Sequence, residues 1–252
     1  MSILKKIIKN KQRELDELPT LLTSEVSKSS VSFIDAITRV QVGIIAEIKK
    51  KSPSAGDLAK GQNLVAKAQS YEEAGADAIS VVTDQKYFGG SLELFMNIRN
   101  ATSLPMLMKD FIIHPQQVKQ AEAVGADALL IIAALHKYFH PDLLSILSKS
   151  SVTPVVEVAT IEELSLPFVQ QAEIIGVNAR DLNTFKVSVE RACSIIQNIS
   201  KNKTVIACSG INDRSDVEQY QRAGAQAVLV GESLMKAVDI NEKINSLSNS
   251  VL

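Results

Sequence analysis

Eight short apolar runs, each followed by enough chain for a helix, constrain the fold of this protein more than any other feature. They cover residues 44–48, 78–82, 106–108, 128–132, 155–158, 173–177, 204–207 and 227–230. Each run is continuous rather than alternating, which is typical of strands buried on both faces. Eight regular strand–helix units favour a closed (β/α)8 barrel over an open sheet. No G-x-G-x-x-G motif follows the first run, so a dinucleotide site has no support.

An internal repeat strengthens this alternation of helices and strands. Gly75, Gly125 and Gly224 each lie between small residues just before the second, fourth and eighth runs. Gly75 and Gly125 are 50 residues apart, and Gly224 follows after a further 99, so the period is two strand–helix units. A glycine here suits the left-handed residue that ends a helix. Taken alone, the motif suits any α/β fold.

The N-terminal segment predicts helices outside the barrel. Apolar residues recur at helical spacing until Pro19 ends the pattern, namely Ile3, Leu4, Ile7, Ile8, Leu15 and Leu18. Residues 20–32 are rich in Ser and Thr and are expected to form a loop. Ser32 followed by Asp35 resembles a capping box and predicts a second short helix through about Val40.

The length of 252 residues would fit two average domains, but single α/β barrels also reach about 250 residues. No low-complexity linker divides the chain. We therefore expect one α/β domain over residues 1–252, a TIM barrel over 43–240 with an N-terminal helical extension over 1–42.

Composition limits the partners of the chain. The formal net charge is −1, aromatic residues make up 4%, and there is no Trp. These values argue against binding of nucleic acid or of a membrane surface. The longest apolar run, 128–135, is too short to span a bilayer. The two cysteines, Cys193 and Cys208, are too few for a disulfide framework, so a cytoplasmic location is expected.

Polar side chains interrupt the apolar runs where each predicted strand ends. Charged residues there are Glu47, Lys49, Lys109, Glu157 and Arg180, which sum to +1, and Asn178 accompanies them. Because buried charges are costly unless paired or used, and because barrel chemistry lies at the carboxyl ends of the strands, these residues predict an active site. Structural ion pairs are the alternative interpretation. The mixture of acids and bases suits proton transfer on an anionic small molecule.

Glycine-containing loops after the last two strands predict a phosphate site. They contain Ser209-Gly210 and Gly231-Glu232-Ser233. Glycines let backbone N–H groups approach a phosphate, and loops seven and eight are its usual position in barrels. An ordinary turn is the alternative for either loop alone. The three histidines have no metal-ligand spacing, so no metal site is expected.

Read in order, these segments resemble the indole-3-glycerol phosphate synthases of tryptophan biosynthesis. The stretches that carry the resemblance include IIAEIKKKSPSAGDL (44–58), LPMLMKDFIIHPQQV (104–118), VVEVATIEEL (155–164), EIIGVNARDLNTFKV (173–187) and AVLVGESLM (227–235). The resemblance covers nearly the whole chain and implies a monofunctional lyase without cofactor or metal. Its phosphorylated substrate would be 1-(2-carboxyphenylamino)-1-deoxyribulose 5-phosphate, which is cyclised with loss of CO2 and water.

The resemblance also implies a role for each matched residue. Lys109 is the general acid, and we expect burial and neighbouring cations to lower its pKa. Lys49, Glu47 and Glu157 serve the dehydration, with the division between the two carboxylates left open. Asn178 would bind the reacting groups and Arg180 would hold a carboxylate. The phosphate would be held by Ser52, Ser209, Gly210, Gly231 and Ser233, with Glu232 in the same loop, and the benzene ring by Phe88, Phe111 and Leu182.

One departure from the family pattern affects the expected activity. Cys208 stands where the family usually has Glu before the Ser-Gly pair, so we expect a lower rate or an altered pH profile. Another phosphate-binding barrel enzyme, such as phosphoribosylanthranilate isomerase, and a non-catalytic barrel remain alternatives. Segment 52–60 is a candidate lid. The expected assembly is a monomer or a weak homodimer.

Overall fold

Eight parallel strands close into a barrel in the computed structural model, which describes residues 3–16, 28–181 and 184–248. In chain order β1 to β8 are Gly43–Ile48, Ala78–Val82, Met106–Lys109, Ala128–Ile132, Thr153–Val158, Ile174–Asn178, Thr204–Cys208 and Ala227–Val230. Neighbours in the barrel are neighbours in the chain, and β1 pairs with β8 to close the ring. The predicted (β/α)8 barrel is therefore confirmed, and every apolar run matches a strand within two residues.

Helices alternate with these strands. In chain order α1 to α12 are Ile3–Asp16, Phe33–Thr38, Leu64–Glu73, Gln85–Phe88, Leu92–Arg99, Pro115–Ala123, Leu143–Leu147, Pro167–Gln171, Val189–Gln197, Arg214–Ala223, Glu232–Lys236 and Ile240–Leu247. Two 3-10 turns, Ala133–Tyr138 and Glu162–Ser165, follow β4 and β5. The three repeat glycines adopt left-handed φ angles of 89°, 74° and 118°, as the motif predicts for helix ends.

The loop after β1 forms a two-residue antiparallel ladder between Lys51–Ser52 and Gly56–Asp57. Hydrogen bonds from the backbone N–H groups of Leu58 and Ala59 to the Lys50 carbonyl close this excursion. The predicted lid segment thus has its own local hydrogen bonds above the barrel.

The N-terminal extension contacts opposite ends of the barrel. In α2 the Ser32 hydroxyl accepts a hydrogen bond from the Asp35 N–H at 3.1 Å, and Ile37 packs against Gly43 at the beginning of β1. Helix α1 instead reaches the carboxyl ends of β2 and β3 through Lys11. Two parts of the prediction lie outside the described residues. They are the end of the helical pattern at Leu18 and Pro19 and most of the predicted loop, residues 20–27.

The inward-facing side chains of the strands are apolar in the barrel interior and polar at its mouth. The interior cluster includes Ile45, Leu107, Val155 and Ile206. Because side chains two apart point to the same face, the next inward positions toward the carboxyl ends are Glu47, Lys109, Glu157 and Cys208. The barrel geometry therefore brings residues from four separate strands to one rim.

Candidate active site

A cavity of about 270 Å³ opens at the carboxyl ends of the strands. Thirteen of the predicted site residues line it, namely Glu47, Lys49, Ser52, Phe88, Lys109, Phe111, Glu157, Asn178, Arg180, Ser209, Gly210, Gly231 and Glu232. Ser233 is not among the lining side chains, and Leu182 lies outside the described residues. Residues that are far apart in the chain thus line one concave surface.

The buried Glu47 is the centre of a charge cluster with two partly exposed lysines. One carboxylate oxygen, Oε1, lies 2.6 Å from Lys49 Nζ, and the other, Oε2, lies 3.1 Å from Lys109 Nζ. Burial alone raises the pKa of the Glu47 carboxyl, but the two ammonium groups outweigh it and lower the pKa to about 2. Glu47 is therefore a fixed anion at neutral pH and holds two lysines on one side of the cavity.

The expectation that neighbouring cations lower the pKa of Lys109 is wrong. Burial lowers the pKa of this ammonium, but the negative charges of Glu47 and Glu157 outweigh burial and raise the pKa above its ordinary value. The strand pattern predicts which charged side chains lie at the mouth of the barrel, but it does not show which of them are in contact with Lys109. Lys109 is consequently protonated at neutral pH, so it can donate a hydrogen bond and then its proton to a developing alkoxide.

Glu157 has the opposite environment from Glu47. Its side chain is buried, and burial raises its pKa against the lowering effects of Lys109 and of a hydrogen bond from Asn178. Within the described residues, Glu157 Oε2 accepts no hydrogen bond. Two carboxylates whose pKa values are moved apart in this way are suited to different roles, one as a fixed charge and one as a proton carrier.

Cys208 lies among these charges at the end of β7. Its side chain is buried, and its thiol donates to the Ile206 carbonyl, 3.8 Å from Sγ. Burial and the charges of Glu157 and Glu47 raise the pKa of the thiol, so it is neutral at pH 7. The site therefore carries a neutral sulfur on an inward position that faces its buried acids and Lys109.

The Ser209-Gly210 turn is shaped by two consecutive left-handed residues, with φ angles of 70° and 72°. A serine rarely adopts this conformation, so it must be held by the surrounding structure. The buried Tyr220 hydroxyl supplies part of that restraint by donating to the Ser209 carbonyl at 2.9 Å. A β-carbon on Gly210 would lie 2.9 Å from Val189, so glycine is also required by packing.

The loop after β8 differs in detail from the predicted phosphate loop. The Ser233 hydroxyl donates to the Ile211 carbonyl at 3.0 Å, which links loops seven and eight. Glu232 lines the cavity and pairs with Lys236 at 2.6 Å, and the hydrogen bond with this lysine lowers the Glu232 pKa. Gly231 lies directly against Glu47 and Lys49. These contacts give the loop structural functions that a motif does not show.

The remaining predicted residues lie around the cavity wall. Phe88 and Phe111 form a tilted pair with ring centroids 6.0 Å apart. Arg180 donates to the Phe185 carbonyl at 3.1 Å, and its own N–H donates to Asn178 Oδ1 at 2.9 Å. The Ser52 hydroxyl accepts from the Ala55 N–H at 3.0 Å.

Sequence reasoning missed Phe185 and Lys11. Phe185 lines the cavity with a left-handed φ of 59°, for which its residue type gives no signal. Lys11 did carry a signal, because it lies four residues after Ile7 and four before Leu15, on the apolar face of α1. A lysine on such a face indicates a buried ion pair.

Across the ranges that the structure describes, no group of three or more His, Cys, Asp or Glu side chains is arranged to hold a metal ion. Cys193 and Cys208 are both free thiols. No helix in the described part of the chain has the length and apolar character needed to cross a membrane.

A closed (β/α)8 barrel whose mouth joins paired lysines, separated carboxylates and a tight Ser-Gly turn defines a barrel enzyme with an acid–base site. Comparison with known families makes the class specific. The family model for indole-3-glycerol phosphate synthase matches residues 4–247, and the chain belongs to this family.

Individual relatives agree with the family match. The chain is 38% identical over 255 residues to "Indole-3-glycerol phosphate synthase" of Staphylococcus aureus strain JH1, covering 98% of this chain and 97% of that one. It is 39% identical, with the same coverage, to the enzyme of strain bovine RF122 / ET3-1. The barrel also resembles thiamine phosphate pyrophosphorylase from Pyrococcus furiosus, with a TM-score of 0.60, 16% identity and coverage of 82% and 93%, which supports the fold alone.

Proposed function

We propose that this chain catalyses the formation of indole-3-glycerol phosphate from 1-(2-carboxyphenylamino)-1-deoxyribulose 5-phosphate, as a carboxy-lyase of tryptophan biosynthesis. The observation that carries the proposal is the Lys49–Glu47–Lys109 cluster, centred on the buried Glu47, which shares one cavity with Glu157. The family match favours this reaction over the isomerase and over a non-catalytic barrel.

Strand order supports an extended orientation of the substrate. Phe88 and Phe111 follow β2 and β3, whereas Ser209 and Gly210 follow β7. In a ring of eight strands in chain order, β3 lies across the barrel from β7. The aromatic pair would contact the benzene ring, while the Ser-Gly turn would bind the phosphate, so that the substrate spans the mouth and its reacting carbons meet.

Lys109 acts as the general acid of ring closure. The ring carbon that bears the carboxylate attacks the ribulose carbonyl carbon, and the proton from Lys109 Nζ neutralises the alkoxide that forms on the carbonyl oxygen. Loss of CO2 then returns the electron pair to the ring and restores its aromaticity. The Lys109 side chain is only 23% exposed, and this partial burial strengthens its interaction with the developing charge.

Glu157 and Lys49 serve the dehydration. Glu157 takes the proton that the intermediate loses, because it lines the cavity, its Oε2 accepts no hydrogen bond from the described residues, and burial raises its pKa. Lys49 supplies a proton to the departing hydroxyl group, which leaves as water. Glu47 is a poor base because two ammonium groups hold its charge, and it positions both lysines instead.

Indole fluorescence from the purified protein and the carboxyphenylamino substrate tests the reaction. We expect wild-type turnover and a loss of about 10²–10⁴-fold in kcat for Lys109→Met and for Glu157→Gln, the range for a general acid or base. Lys50→Met, which removes an exposed lysine outside the cavity, is the control. Absence of product from wild type contradicts the function, and full activity of Lys109→Met contradicts the assigned acid.

The finer expectations follow from the same function. We infer one cytoplasmic domain over residues 1–252 that acts on a small phosphorylated substrate as a monomer or weak homodimer, without cofactor. Light scattering across a concentration series tests the assembly, and a stable higher oligomer would contradict it. Unchanged turnover after exhaustive dialysis against chelator is expected if no metal takes part.

A further inference from the structure

We propose that Lys11, in the N-terminal extension, is a positioning residue that fixes the catalytic Lys109 and the aromatic wall by bridging Asp84 and Asp110. The proposal rests on the proposed function for its kinetic consequence. Its structural content is independent of that function, since it concerns how α1 is joined to the barrel mouth.

Lys11 is a buried ammonium with three carboxylate neighbours. Its Nζ lies 2.7 Å from Asp110 Oδ1, 3.2 Å from Asp84 Oδ2 and 2.9 Å from Glu14 Oε2. Lys11 is only 4% exposed, and Asp84 is fully buried. A surface pair would contribute little, but this bridge joins two elements of the barrel to one helix outside it.

Asp84 connects Lys11 to one half of the aromatic wall. Its Oδ1 accepts hydrogen bonds from the N–H groups of Tyr87 and Phe88, at 2.8 and 3.2 Å, and thereby caps the short helix α4. A four-residue helix has little stability of its own, so its position depends on this cap. Through its other oxygen, Asp84 transmits the position of Lys11 to Phe88.

Asp110 connects Lys11 to the other half of the wall. It lies between Lys109 and Phe111 in the chain, and its Oδ2 accepts from the Thr83 hydroxyl at 2.7 Å. Its Oδ1 accepts from the Phe111 N–H at 2.7 Å and contacts Lys11. Displacement of this carboxylate would therefore move the backbone that carries the catalytic lysine and one ring of the aromatic pair.

Charge balance makes the bridge sensitive to removal of the ammonium. Without Lys11, Asp84 and Asp110 would be two buried anions near one another, with Glu14 adding a third negative charge from α1. Two further cations at this junction, Lys86 and Arg13, both donate to Asn10 Oδ1 on α1, at 3.2 and 3.1 Å. Burial and the charge of Asp110 already raise the Asp84 pKa. Repulsion would separate α4 from the end of β3 unless one carboxylate takes up a proton.

Kinetics of Lys11→Met across pH distinguish positioning from general destabilisation. We expect KM to rise about tenfold at pH 8, equivalent to about 1.4 kcal/mol, with a smaller change in kcat. The defect should shrink toward pH 6, because a proton on one carboxylate replaces the missing charge. Lys11→Arg should restore most of the affinity. Lys9→Met, which removes an exposed lysine from the same helix, should leave both constants unchanged.

A spectroscopic measurement tests the bridge without substrate. In protein labelled with fluorophenylalanine, the ¹⁹F resonances of Phe88 and Phe111 should shift in Lys11→Met, while that of Phe33 at the opposite end of the barrel should not. If Lys11→Met does not fold, the double variant Lys11→Met/Asp84→Asn carries the same measurement, since it removes one of the repelling carboxylates. It is expected to fold with both resonances near their wild-type positions.

Unshifted Phe88 and Phe111 resonances in a folded Lys11→Met, or a kinetic defect that is equal at pH 6 and pH 8, would overturn the proposal. Where Lys11→Met does not fold, a double variant that also fails to fold, or that folds with both resonances displaced, would do so as well. Absence of product from the wild-type protein would instead contradict the proposed function, and the fluorine spectra would still decide whether Lys11 positions the wall.

Discussion

Gly231 leaves the space that Glu47 occupies. A β-carbon built on Gly231 would collide with Glu47 Oε1 and lie 3.0 Å from Lys49 Nζ. Gly231, at the end of β8, is therefore required for the Glu47–Lys49 ion pair at the end of the neighbouring strand β1. A loop that the sequence suggests as a phosphate contact also makes room for the charge cluster.

Gly231→Ala should displace the Glu47–Lys49 pair and lower kcat/KM by about 10²-fold, which corresponds to nearly 3 kcal/mol in the transition state. Steady-state kinetics measure the loss. Gly176→Ala is the matched control, because its β-carbon would meet its nearest atom at an ordinary 3.6 Å. Equal activities of the two variants would contradict the packing argument.

Glu47 should make folding stability sensitive to acid. Its pKa is about 2 in the folded protein against an ordinary 4.5, so its contribution is complete above pH 4.5 and is lost as the pH falls toward 2. The contribution is roughly 3 kcal/mol at neutral pH. Urea unfolding between pH 6 and pH 3 measures it. Glu47→Gln should flatten this part of the profile, and an unchanged slope would show that Glu47 is not the group responsible.

Cys208→Glu should raise turnover or shift its pH profile. The wild-type thiol is neutral, whereas a carboxylate here would add negative charge beside Glu157 and Lys109 and raise the pKa of Glu157 further. The pH–rate profile of kcat is the measurement. Cys208→Gln provides the same size without the charge. Two results together would contradict the prediction: no increase in turnover for Cys208→Glu, and a pH–rate profile identical to that of Cys208→Gln. The thiol at position 208 would then not limit the rate of this enzyme.

Tyr220→Phe should weaken the Ser209-Gly210 turn without filling or emptying space. The variant loses one hydrogen bond to the Ser209 carbonyl, worth about 1 kcal/mol, so KM should rise about fivefold with little change in kcat. Titration with inorganic phosphate gives a second measure of the same turn. Tyr138→Phe, at an exposed position, controls for loss of a hydroxyl. Unaltered phosphate affinity and KM in Tyr220→Phe would separate this hydroxyl from anion binding.

The placement of site residues from sequence rests on the alternation of side chains along each strand, which is a local property. Glu47 and Lys49 were placed on one face because they are two residues apart, and the structure gives them a contact of 2.6 Å. The pKa of Lys109 was predicted in the wrong direction because it depends on Glu47 and Glu157, which come from other strands. The hydroxyl of Ser233 turned toward Ile211 for a similar reason, since its acceptor lies 22 residues away.

The sequence by itself determined the eight strands, their order and the polar residues at their ends, because hydrophobic periodicity and short connections act over a few residues. Only the tertiary structure decided which charges pair, that Gly231 must lack a β-carbon, and that α1 lies at the mouth while α2 lies at the opposite end. These features arise from distances between residues far apart in the chain. Closure of the barrel sets those distances, and the resulting burial and Coulomb interactions determine the protonation of the site.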